Sequence, residues 1–135
     1  MGTVHLRAVE NRCDYHVLVR DGQNPDPALT FLVPAGRQVE VAGEMVFPPV
    51  GNPEELHRAF TVTGEDGSVA HWLYQEANRP EGNEIRSASH GDYRKSDLLA
   101  RVPDSSRVSL IVEPGAVSVA VFMEDETAAI SRDFD

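Results

Sequence analysis

The sequence predicts an all-β fold, an antiparallel β-sandwich or short barrel of about seven or eight strands with one or two short helical turns. Three observations predict it. Apolar and polar residues alternate with period two along most of the chain. Gly and Pro punctuate the alternating runs. The two helix-like stretches are too short to build a core.

Taken in order, Val4, Leu6 and Ala8 alternate with His5 and Arg7, and Tyr15, Val17 and Val19 with His16, Leu18 and Arg20. The run Leu29 to Val33 closes at Pro34-Ala35-Gly36, after which Val39 and Val41 alternate with Gln38 and Glu40. Asn52-Pro53-Glu54-Glu55 has an N-cap, Pro at the first helical position and Glu at the third, which predicts a short helix to Arg58. Phe60 and Val62 alternate with Thr61 and Thr63, Gly64-Glu65-Asp66-Gly67 supplies a turn, and Val69 to Tyr74 completes a hairpin. From Glu76 to Asp97 the chain is polar, as a long loop or a pair of weak strands would be. Ser96 to Arg101 reads as a second helical turn ahead of Pro103. Val108, Leu110 and Val112 lead through Glu113-Pro114-Gly115 to Val117, Val119, Val121 and Met123. The stretch Phe31–Val41 resembles Leu110–Val119, which raises either a duplicated half-sandwich or two similar hairpins.

At 135 residues the chain makes one domain, here 1–123, followed by an acidic, flexible tail at 124–135. The net charge is −10, from 12 basic and 22 acidic residues. The tail contributes −4 of it and leaves −6 for the domain, whose acids scatter over turns and outward positions. This balance speaks against nucleic acid and anionic membrane surfaces as partners, because both reward clustered cations. Eleven of the basic residues are Arg and one is Lys95, a bias suited to partly buried ion pairs. One cysteine, Cys13, allows no internal disulfide, no apolar run reaches membrane-span length, and the first residues lack a signal-peptide pattern. A cytoplasmic protein without cofactor is the resulting expectation.

Chemistry-bearing motifs are sparse. The five histidines show neither His-x-His nor His-x-x-x-His spacing, and Cys13-x-x-His16 is half a zinc site without a second half. Asp21, Asn24 and Asp26 offer hard oxygen ligands in one loop, a weak calcium pattern that departs from the EF-hand. Ser87 to Arg94 mixes Ser, His and Asp, but neighbours on an extended chain point to opposite faces and do not converge as a triad. Trp72 and Tyr74 share one strand face, either as an aromatic platform for a ligand or as core residues.

Asn11-Arg12-Cys13-Asp14-Tyr15-His16-Val17 resembles the Asn-x-Cys-x-Tyr-x-Val opening of thaumatin-like proteins. Those proteins are longer and carry many disulfides and an acidic cleft, whereas this chain has one Cys. The resemblance therefore implies a β-sandwich start and no activity.

Three functional readings follow. The first is a non-catalytic binding module that recognises another protein, or a glycan, through loops or one sheet face, using Trp72, Tyr74, Arg86, His90 and Tyr93. The second is an acidic inhibitor occupying a basic active site. The third is a pocket in a closed barrel with His71, His90 or Asp92 as acid/base groups. An exposed edge strand could also pair two copies of the chain.

Overall fold

A computed structural model describes residues 4–22, 30–65, 70–76, 83–89, 92–103 and 105–121. Among them, strands form two sheets. They are β1 (Val4–Asn11), β2 (Val17–Asp21), β3 (Phe31–Val33), β4 (Gln38–Val46), β5 (Phe60–Gly64), β6 (Ala70–Glu76), β7 (Asn83–Ser89), β8 (Ser96–Val102), β9 (Ser106–Glu113) and β10 (Ala116–Val121). One sheet has the order β10-β9-β1-β4 and the other β3-β2-β5-β6-β7-β8. The fold is all-β, as the alternation predicts. All pairs are antiparallel except β1 with β9, which runs parallel from Val4↔Ser106 to Asn11↔Val112.

The inward set of the alternation becomes the core. Val4, Leu6, Val9, Val108, Leu110 and Val112 from the first sheet meet Val17, Val19, Val33, Phe60, Val62, Leu73 and Ile85 from the second, all buried. Phe47 lies between them with its ring 5.0 Å from that of Phe60. Complete removal of such side chains from water is the main force holding two sheets together, at ~1.5–3 kcal/mol per large aliphatic residue.

The chain changes sheets between β1 and β2, where the sequence resembles thaumatin-like proteins. Asn11, 1% exposed, donates through Nδ2 to the carbonyls of Tyr15 (2.8 Å) and Val33 (3.1 Å), and its Oδ1 accepts the Cys13 amide (2.9 Å). One side chain thus satisfies three backbone groups at a corner that has no ladder partner for them. Cys13 is buried beside Val112, and the His16 ring accepts the Ala35 amide at 3.0 Å, which fixes the Pro34-Ala35-Gly36 turn. The pair that looked like half a zinc site is structural.

Several expectations change. Ser96–Arg101 is strand β8, not a helical turn. Its apolar run Leu98-Leu99-Ala100 mimics helical spacing because β8 is irregular where Leu98 pairs with Arg86 and Ala100 with Ile85. The second helical turn is Tyr93–Lys95, capped by Asp92, whose side chain accepts the Arg94 amide. The first stands where predicted, at Pro53–Arg58, with Asn52 accepting the Glu55 amide. Of the polar stretch, part continues β6 to Glu76 and part is β7. The two similar segments are not a structural repeat: β9 pairs with β10, whereas β3 and β4 belong to different sheets. The tail at 124–135 lies outside the described residues.

Candidate functional site

Strand β6 sorts its side chains by parity. His71, Leu73 and Gln75 face the other sheet and are buried, while Trp72, Tyr74 and Glu76 point to the outer face. Pairing extends that face sideways: Arg20, Thr61, Trp72, Ala88 and Ser96 form one row, and Tyr74, Arg86 and Leu98 the next. The outer face is itself partly roofed. After β4, Pro48 and Val50 bond the backbone of Gln75, and the Pro53–Arg58 turn lays Leu56 and Ala59 over Tyr74 and Ala88. Tyr74 is therefore fully buried in a second, smaller apolar cluster, with Trp72 and Tyr93 packed against it and half-buried.

The sequence-predicted residues meet in this region. Tyr93 stacks on Tyr74 with centroids 5.5 Å apart and 27° between planes, and its hydroxyl donates to Glu76 Oε1 at 2.9 Å. Arg86 donates through Nε to Ser96 Oγ (3.0 Å), through Nη2 to the Ser96 carbonyl (3.3 Å), and through Nη1 to Glu84 Oε1 (3.1 Å). Arg101 holds the other Glu84 oxygen at 3.3 Å. Trp72, Tyr74, Arg86 and Tyr93 thus form one cluster; His90 lies outside the described residues. Tyr74 presents no surface, and Arg86 braces β7 against β8.

Burial and the adjacent Glu76 carboxylate, which the hydroxyl bonds, push the Tyr93 phenol up to about 12. Burial also raises Tyr74, although Ser96 and Arg86 pull the other way. Both phenols stay neutral at physiological pH and supply no base there. Of the acid/base groups in the barrel reading, His71 faces the inter-sheet core and Asp92 is engaged as a cap. Asp21 is buried at the end of β2, and Asn24 and Asp26 lie outside the described residues. Among the described residues, no group of three or more His, Cys, Asp and Glu side chains is placed to hold a metal ion, and no helix is long and apolar enough to cross a membrane.

Sequence reasoning missed two large apolar side chains that the outer face exposes. Leu18 (40% exposed) and Leu32 (51%) are cross-strand partners on β2 and β3, beside the row that holds Trp72. Their signal was present: both occupy the outward parity of runs whose inward positions are Val17, Val19 and Val33. The polar braces Glu84, Ser96 and Arg101 had no such signal, since only the strand register brings them together.

Comparison with family models, curated proteins and solved structures returns no match.

Proposed function

We propose that the chain is a non-catalytic binding module that recognises another protein through the outer face of its six-stranded sheet. The observation that carries this is the adjacent, exposed pair Leu18 and Leu32 on the face that also shows Trp72. Apolar side chains side by side on a sheet, rimmed by Arg20 and threonines, resemble an interface centre more than solvated surface. A glycan platform fits less well, because the neighbours in the Leu18 row are Leu32 and Thr63 with no free carboxylate or amide. An acidic plug fits less well too: Glu76 and Glu84 on this face are already engaged by Tyr93, Arg86 and Arg101.

The test is a photo-crosslinking amino acid placed at Leu18 or Leu32, with Arg107 on the other sheet as control. A discrete protein adduct is expected at the two leucine positions and not at Arg107. Leu18→Ser or Leu32→Ser should weaken that capture about tenfold each, through lost apolar burial, while leaving thermal stability nearly unchanged. Equal capture from Arg107, or capture indifferent to both serine variants, removes the proposal.

A further inference from the structure

Strand β3 has three residues and stands at the end of its sheet, paired with β2 from Val17↔Val33 to Val19↔Phe31. So short a ladder holds little by itself, and two side chains from the β1–β2 corner reinforce it. Asn11 Nδ2 donates to the Val33 carbonyl at 3.1 Å, and His16 Nδ1 accepts the Ala35 amide at 3.0 Å. Ala35 sits in the turn that follows β3, where Gly36 has φ 70° and the Arg37 amide donates to the Pro34 carbonyl at 3.1 Å. The amides of a turn's two central residues find no partner inside the turn. His16 supplies one for Ala35.

The two ties differ in one respect. The Asn11 amide does not titrate, whereas imidazole is the side chain whose charge ordinarily changes between about pH 5 and 8. A backbone N–H only donates. Nδ1 must therefore keep its lone pair, and the ring proton belongs on Nε2. An imidazolium carries a proton on both nitrogens and accepts nothing, so it would face the Ala35 amide donor against donor. The charged residues bordering His16 are Asp14 on its own segment, Glu65, whose amide donates to the His16 carbonyl at 2.9 Å, and Arg37 beyond the turn, all exposed. Arg12 at the corner is already paired with Glu10. Two acids against one base offer a charged ring other company than Ala35.

We infer that His16 is an acid-released latch on β3: the neutral ring holds the Pro34-Ala35-Gly36 turn against β2, and the protonated ring lets that turn and the neighbouring Leu32 loosen. Leu32, 51% exposed, anchors the strand weakly, while fully buried Val33 and its Asn11 bond remain in place. Release therefore frees the end of β3 without opening the sheet. Where Leu18 and Leu32 are the docking pair proposed above, the latch makes binding weaken in acid, because it loosens one half of that pair.

Amide hydrogen exchange of the full chain, followed by NMR and corrected for the intrinsic pH dependence of exchange, reads the latch at Ala35 between about pH 8 and 5. Protection of Ala35 should fall roughly fivefold on acidification, the equivalent of one net hydrogen bond. Leu110, in the interior strand β9, should keep its protection. His16→Asn sets an amide oxygen near the Nδ1 position without a titrating ring, and should keep Ala35 protected at both pH values. His16→Ala should leave it unprotected at both. Ala35 protection that is constant with pH, that falls equally in His16→Asn, or that falls only together with Leu110 overturns the latch. Photo-crosslinking from Leu32 reads the consequence: capture should be weaker in acid for the parent chain and unchanged for His16→Asn. Capture indifferent to pH while Ala35 is released overturns the regulation. Absence of capture at either pH counts against Leu18 and Leu32 as a docking pair, and the latch is then decided by the exchange at Ala35.

Discussion

At the scale of single residues, the candidate region is governed by which polar groups are already engaged. Tyr93 bonds Glu76 and Arg86 bonds Glu84 and Ser96, so neither is offered to a partner as a free charge or hydroxyl. Tyr93 carries a measurable signature. Its phenol ionises near pH 12 in the folded chain against about 10 for an ordinary tyrosine. A raised pKa favours the neutral form, so its contribution to stability is complete below pH 10 and is lost as pH rises toward 12. Phenolate absorbance should therefore show Tyr93 titrating late, and Tyr93→Phe should remove that step. The variant should also cost about 1 kcal/mol near neutral pH, the typical net value of one hydrogen bond. A Tyr93→Phe protein with an unchanged alkaline titration would refute the assignment. Asn11 shows what was legible at this scale: its place in a local motif was visible, but its three backbone partners, one of them Val33, were set by the fold.

At the scale of elements, the alternating strands were readable because one face of each meets the apolar core. β7 read only as one of two alternatives, loop or weak strand, because its inward face carries Asn83, Ile85 and Ser87 and only Ile85 is apolar. It belongs to the six-stranded sheet, which is wider than its four-stranded neighbour, so period-two hydrophobicity fades there. The Pro53–Arg58 turn was readable from its cap, but what it roofs was not. Its attachment depends on Gly22. A Cβ at that position would meet the carbonyl oxygens of His57 at 2.2 Å and Ala59 at 2.7 Å, and the Gly22 amide already donates to Ala59. Backbone cannot yield as a flexible side chain can. Gly22→Ala should therefore push the turn off the sheet, lower stability by about 2 kcal/mol, and increase Tyr74 exposure. Denaturant unfolding gives the first quantity and tyrosine fluorescence quenching the second; a neutral Gly22→Ala would show that the turn is not held there.

At the scale of the whole molecule, the arrangement turns on β1, which lies between β9 and β4 in the smaller sheet. Its parallel partner begins at Ser106, opposite Val4, so this contact closes nearly the whole described chain. Nothing in the sequence near either strand announces that pairing, since both read as ordinary alternating runs and parallel contacts leave no turn signal between them. The consequence is kinetic. Loop-closure entropy must be met before a non-local pair gives anything back, and folds dominated by such pairs reach the native state in roughly milliseconds to seconds. Inserting β1 between its neighbours should therefore be the slow event, with its core residues engaged in the transition state. Leu6 is fully buried there. Leu6→Ala should cost about 2–5 kcal/mol, of which roughly half appears in the folding rate, slowing it about tenfold or more. Val117→Ala, in the local β9–β10 hairpin and only partly buried, should act mainly on unfolding. Stopped-flow refolding of the two variants separates these outcomes. Microsecond refolding of the parent chain, or a Leu6→Ala variant that folds at the parental rate, would mean that β1 docks after the barrier and that the rest of the fold assembles without it.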